Sequence, residues 1–191
     1  MKVVGINGSA RKGGNTAEMI KRVFAQLEAE GIETEMIELS GKKMRGCIAC
    51  YKCFENKDRR CAVNNDFMNE CIAAMDAADG IILGSPTYFA NISTEMKALV
   101  DRSGMVGRAN DDMFARKVGA GVVSSRRGGS IQAFNALNAF FFIEQMIVPG
   151  SRYWNQARGM EKGDVLADAE GMETMDVLGS NMAWLMKKLE K

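Results

Sequence analysis

Four of the chain's five cysteines fall within fifteen residues, and the other 176 residues hold one. The stretch reads Cys47-Ile48-Ala49-Cys50-Tyr51-Lys52-Cys53 and is closed by Cys61, a Cys-x2-Cys-x2-Cys-x7-Cys spacing. Thiolates bind soft or borderline metals, and a Cys-x2-Cys step lets two sulfurs converge on one centre. Overlapping steps that share the middle cysteine suit an iron–sulfur cluster better than zinc. Four-cysteine zinc sites usually bring two separate pairs from different segments. Bacterial ferredoxin runs have a shorter last gap and a proline after it. Here the gap is seven and Ala62 follows, so Cys61 is the least clearly marked ligand. The same run also reads as a metal-free thiol loop with a reversible disulfide.

Histidine is absent from all 191 residues. That removes Ser-His-Asp hydrolysis, Cys-His proteolysis, histidine-ligated zinc and Rieske clusters. Chemistry must come from carboxylates, thiolates or a cofactor, and hydride transfer to a flavin needs the protein mainly to position the ring.

Three loops could do that positioning. Residues 8–16 form a glycine-rich loop, Gly8-Ser9-Ala10-Arg11-Lys12-Gly13-Gly14-Asn15-Thr16, between an apolar strand pattern and a helical one. Free N–H groups and the helix dipole favour an anion there. The loop is neither G-x-G-x-x-G nor a P-loop. Its side chains suit a terminal phosphate monoester, and the plainer reading is a βα turn capped by Asn15 or Thr16. The second loop, Ser85 to Asn91, carries Tyr88 and Phe89, which could lie on a planar ring or simply cover a helix end. The third covers residues 124–129 and is rich in glycine and arginine.

The elements that hold these loops follow from pattern. Strands are expected at residues 2–7, 33–39, 80–84, 117–124 and 146–148, with helices at 16–30, 66–78, 93–102, 130–145 and 170–189. In this reading Asp66 caps the second helix and Cys71 packs in the core. The run Phe140-Phe141-Phe142 and the methionines of the last helix point to core or subunit interface. Alternation of strands and helices predicts an α/β fold, a doubly wound five-stranded parallel sheet in a single domain over 1–191, with a cysteine-rich loop at about 40–65. All three loops follow strands. In the order 2-1-3-4-5 the first and third strands meet at the switch point where such sheets bind ligands.

Composition is ordinary: 47% hydrophobic, 26% charged, net charge +1. Nothing points to nucleic acid or membrane, and no apolar run approaches the ~20 residues of a span. The start of the chain reads as strand rather than signal peptide, so a reducing cytoplasm is expected. Lys42, Lys43, Arg45, Lys52, Lys57, Arg59 and Arg60 crowd the cysteines. They would offset a cluster's negative charge, or form a solvated basic face.

The combination resembles a known family. Gly8-Ser9-x-Arg11-Lys12-x-x-Asn15-Thr16 is similar to the phosphate loop of NAD(P)H-dependent FMN reductases of flavodoxin-like fold. Gly84-Ser85-Pro86-Thr87-Tyr88-Phe89-x-Asn91 and the following Met96-Lys97-Ala98-Leu99-x-Asp101-Arg102 resemble their isoalloxazine loop and helix. The cysteine run resembles that of the iron–sulfur flavoproteins, which carry FMN and a [4Fe–4S] cluster. Asn64-Asn65-Asp66 stands where that group often has paired aspartates. The resemblance implies FMN, with Ser9, Arg11, Asn15 and Thr16 on its phosphate. Pro86, Thr87, Tyr88, Phe89 and Asn91 would line its ring, and Ser124, Gly128 and Gly129 would close the far side. It implies a [4Fe–4S] cluster on Cys47, Cys50, Cys53 and Cys61, and NAD(P)H as an electron donor. It also implies a redox small molecule or ferredoxin-type carrier as partner, and a homodimer or homotetramer. Two other functions fit the same residues: a cluster-free NAD(P)H-dependent FMN or quinone reductase, and a flavodoxin-like carrier without turnover.

Overall fold

The computed structural model describes residues 1–190. Five strands form one sheet in the order β2-β1-β3-β4-β5, with every pair parallel. They are β1 (Lys2–Asn7), β2 (Glu33–Glu38), β3 (Gly80–Pro86), β4 (Val118–Ser125) and β5 (Gln156–Arg158). The central strands β3 and β4 are buried at every residue, as a sheet covered on both faces requires. Side chains alternate between two cores. Val4, Ile6, Ile81 and Leu83 join one, while Val3, Ile82, Ala120 and Val122 join the other.

The second core lies under α1 (Asn15–Ala29) and α6 (Ala169–Leu189). Ile20, Val23, Phe24 and Leu27 of α1 are buried, worth ~1.5–3 kcal/mol for each such side chain. Glycine sets how closely α1 approaches. A Cβ on Gly84 would stand 2.7 Å from Ile20 Cδ1 and 2.8 Å from Thr16 Cγ2. The helix start is thereby held against β3. The methionines Met172, Met175, Met182 and Met186 are buried, so this stripe is core.

The first core lies under α3 (Met68–Ala77), α4 (Thr94–Ala109) and α5 (Ser130–Ile143). Phe140 and Phe141 belong to it, with Phe114 packed on Phe140. Phe142 and Ile143 remain exposed. Cys71 is fully buried, and burial pushes its thiol up to about 12, which leaves it an inert core residue. A short α2 (Lys52–Asn56) lies inside the cysteine loop.

Two sequence expectations give way. The fifth strand is Gln156–Arg158, while Ile147 makes only an isolated bridge with Val118. The chain touches the start of β4 at Ile147. It then leaves at Pro149, which has no N–H to continue a ladder, and returns to β4 beyond Asn155. Asp66 does not cap α3. Phe67 holds the N-cap position; the buried Asp66 side chain pairs with Arg102 through Oδ2 and accepts from Met68 N–H at 3.4 Å through Oδ1.

Glu144, just beyond α5, is 1% exposed and its Oε2 has no hydrogen-bond partner among the described residues. It fits a groove on α4, where a Cβ on Gly107 would come within 2.5 Å of Oε2. Burial pushes its carboxyl from the ordinary 4.5 up to about 7, opposed by Arg108 and aided by Asp112. A raised carboxyl pKa means the fold binds the proton more tightly than the unfolded chain. The contribution of Glu144 to stability is therefore most favourable below pH 4.5, declines as pH rises, and is least favourable above pH 7. Glu144→Gln should raise stability at pH 8 by roughly 3 kcal/mol and change little below pH 4.5. Thermal unfolding at both pH values checks this, and equal Tm shifts at both would refute it.

Candidate functional site

The loops after β1, β3 and β4 meet at the carboxyl end of the sheet. Gly8 N–H donates to Gly84 O at 2.8 Å, and Ser93 Oγ donates to Gly8 O at 2.7 Å. Thr87 N–H donates to Ser124 O at 2.8 Å, and Thr16 Oγ1 lies 2.8 Å from Ser124 Oγ. Between them is an open cleft of about 290 Å³. Ser9, Arg11, Asn15, Pro86, Thr87, Tyr88 and Ser124 line it. Thr16 stands just behind, buried against Ser124.

The structure adds residues that sequence reading passed over. Ser125, Arg126, Gly159, Met160 and Lys162 also line the cleft. The stretch 159–163 is drawn in by the first loop. Arg11 Nη1 donates to Met160 O at 2.8 Å, and Gly163 N–H donates to Asn15 Oδ1 at 2.8 Å. Asn15 therefore holds this segment rather than capping α1, whose N-cap is Gly14. The visible hint was a lysine between two glycines after the last strand, Gly159-Met160-Glu161-Lys162-Gly163, in a region without periodicity. Arg11, Arg126, Lys162 and the free N–H groups at the start of α1 gather positive charge at this end of the cleft.

The other end is framed by a tight aromatic turn. Tyr88 and Asn91 exchange backbone hydrogen bonds of 2.9 and 3.0 Å. The two residues between them, Phe89 and Ala90, have φ of 47° and 59°. This tight turn normally uses Asn-Gly. An aromatic residue held there costs ~1–3 kcal/mol, and such strain collects at functional positions. Phe89 is fully exposed at the tip. Gly129, at φ 85°, closes against the same turn: a Cβ there would meet Ala90 Cα at 3.1 Å. Phe89, Asn91, Gly128 and Gly129 thus flank the cleft without lining it.

Cys47, Cys50, Cys53 and Cys61 line a second, small pocket against α4, with Met105 and Val106 of that helix. Cys47 and Cys50 are exposed, Cys53 is buried and Cys61 half-buried. Burial pushes the Cys53 thiol up. Among the described residues no three histidine, cysteine or acidic side chains meet closely enough to chelate a single metal ion. The backbone here is unusual. Ala49, Tyr51, Lys57 and Arg59 all have φ between 49° and 59°. Left-handed residues alternating with ordinary ones make N–H concavities that suit anions and iron–sulfur centres. Ala49 N–H already donates to Cys47 Sγ at 3.4 Å.

Cys61, the cysteine marked least by spacing, is held most firmly. Its N–H donates to Asn69 Oδ1 at 2.8 Å, and its carbonyl accepts from Asn69 Nδ2 at 3.0 Å. The long gap before it is a detour to α3 and the end of α4. Arg59 pairs with Asp76 through two N–H groups and donates its backbone N–H to Asn110 Oδ1. Lys42 lies over the Phe67 ring at 4.4 Å.

A parallel sheet with a phosphate-type cleft and a strained aromatic turn at its switch point defines a flavodoxin-like flavin protein. The family model for "NADPH-dependent FMN reductase" matches residues 1–160. The chain is 38% identical over 198 residues to an iron–sulfur flavoprotein of Methanocaldococcus jannaschii, covering 100% of both. It is 33% identical to an iron–sulfur flavoprotein of Methanosarcina thermophila, covering 100% of this chain and 98% of that one. A flavodoxin, WrbA-like protein from Agrobacterium tumefaciens has the same fold, with a TM-score of 0.66, 19% identity and 98% coverage of each chain. The chain belongs to the NADPH-dependent FMN reductase family and groups within it with the iron–sulfur flavoproteins. It is an FMN-dependent oxidoreductase with a role in electron transfer. No helix among the described residues is long and apolar enough to cross a membrane.

Replacing Arg11 and Asn15 together by Ala removes one cation and frees the 159–163 segment. The Kd for FMN should rise about 10- to 100-fold, the worth of one or two charge-assisted hydrogen bonds. Titration of apoprotein with FMN by fluorescence quenching measures it. Unchanged affinity would take this loop out of the site.

Proposed function

We propose that the protein exchanges electrons between a two-electron partner and one-electron carriers, using FMN in the switch-point cleft and a [4Fe–4S] cluster on Cys47, Cys50, Cys53 and Cys61. FMN takes up a hydride or single electrons, and the cluster passes one electron at a time. The observation that carries the cluster is that all four cysteines line one pocket, on a backbone turned by four left-handed residues. Each cysteine of such a cluster binds a different iron, so the sulfurs surround a core rather than meet at one ion. The names of the two relatives support the same reading.

In this reading Ser9, Arg11, Asn15 and Thr16 hold the FMN phosphate, with Lys162 and Arg126 adding charge. Pro86, Thr87, Tyr88, Phe89 and Asn91 orient the ring, and Ser124, Gly128 and Gly129 close its far side. NAD(P)H supplies electrons, and a ferredoxin-type carrier or redox small molecule exchanges them. The protein works in the cytoplasm as a homodimer or homotetramer, for which the exposed Phe142, Ile143 and Trp184 provide apolar surface.

Anaerobic reconstitution followed by iron, sulfide and FMN quantification should give four iron and one FMN per chain, the contents implied by one cluster and one flavin. Cys50→Ser should lose the iron, keep FMN, and stop one-electron transfer while flavin reduction persists. Sub-stoichiometric iron in the unaltered protein, or unchanged one-electron transfer in the variant, would leave a cluster-free FMN reductase.

A further inference from the structure

The guanidinium of Arg102 is 1% exposed and every one of its N–H groups has an acceptor. Nη1 donates to Arg45 O at 3.1 Å and to Asp66 Oδ2. Nη2 donates to Val63 O at 2.7 Å and to Cys61 Sγ at 3.3 Å. Nε donates to the same Cys61 Sγ, also at 3.3 Å. Two arms of one cation therefore converge on one sulfur. A neutral thiol is a weak acceptor with little to offer two guanidinium N–H groups. A sulfur carrying negative charge, as a metal-bound thiolate does, makes both bonds charge-assisted.

A core pin for Asp66 alone would need only the Nη side of the fork. The Nε–Nη2 edge, the one suited to bidentate binding, is turned to Cys61 instead. Hydrogen bonds to ligand sulfur and nearby positive charge both favour the reduced, more negative form of a cluster.

We propose that Arg102 is a positioning residue for the one-electron centre: it fixes Cys61 in place as a ligand and raises the centre's reduction potential, while Asp66 holds the guanidinium in register. This rests on the cluster reading above. It also gives the Asn64-Asn65-Asp66 segment a role, since Asp66 turns Oδ2 to the arginine while Oδ1 accepts from Met68 N–H at the start of α3.

The test uses the reconstituted holoprotein. Arg102→Lys keeps a charge opposite Asp66 but loses the fork. The pair Arg102→Met with Asp66→Leu removes both charges, leaves no orphaned ion and guards against misfolding. Iron, FMN and the potential of the low-potential one-electron couple are measured in each, the last by redox titration followed by electron paramagnetic resonance. Both variants should retain FMN and show a tenfold shift toward the oxidised centre, a fall of about 59 mV. Unchanged potential in both variants overturns the role of Arg102 and leaves the cluster standing. Loss of FMN together with iron in both makes Arg102 a purely structural residue and also overturns it. Unaltered protein that takes up no iron overturns the cluster reading and this inference with it.

Discussion

A guanidinium removed from water is costly unless each N–H is paired, and breaking a buried ion pair by losing one partner costs ~3–5 kcal/mol. Arg102 meets that demand with acceptors drawn from a single span of the chain: Arg45, Cys61, Val63 and Asp66. Burial would raise the Asp66 carboxyl, but the hydrogen bond and charge of Arg102 outweigh it and hold Asp66 below the ordinary range. Beside Arg102, the cysteine loop is fixed to α3 by the Cys61–Asn69 pair and by Arg59 on Asp76. It contains one five-residue helix, and most of its side chains face water. Its two ends are tied to α4 through this cation, and its middle through Arg59.

The same helix governs the other site. Ser93 caps α4, accepts from Met96 N–H, and bonds the first loop at Gly8 and the second at Ser85. Eight residues separate Thr94 from Arg102, about 12 Å along a helix at 1.5 Å per residue. One rigid element thus sets the spacing between the cleft loops and the cysteine pocket. Its register is fixed by packing of Met96, Leu99 and Val106 in the core, so neither site can shift along it alone.

The strands, helices and loop positions were largely legible because the physics there is local. Apolar runs such as Gly80 to Gly84 and periodic faces such as Ile20, Val23 and Leu27 declare themselves. The cysteine run and the two loops that meet at the cleft were legible because unusual residue types cluster. What escaped was long-range. Arg102 reads as an ordinary helix residue until Asp66 and Cys61 arrive beside it. The fifth strand was misplaced because Ile147 and Ala157 both touch β4, and only hydrogen bonding around Asn155 decides between them. Lys162 lies 148 or so residues beyond the loop it serves, a separation the Asn15–Gly163 bond shares. Glu144 is buried by glycines of another helix, which no pattern within α5 could reveal.

The link between Asn15 and Gly163 has a consequence for the order of events on the ribosome. A domain folds as a unit, while its residues emerge from the N-terminus onward. The first βα unit and four of the five strands are synthesised long before residue 163 appears. The cradle at the start of α1 stays open on one side through all of that synthesis, and the last quarter of the chain supplies its missing wall. The cysteine loop and both of its tethers on α4 lie within the first 110 residues. In the growing polypeptide every residue of the thiol pocket is therefore made before the wall that closes the cleft at the start of α1.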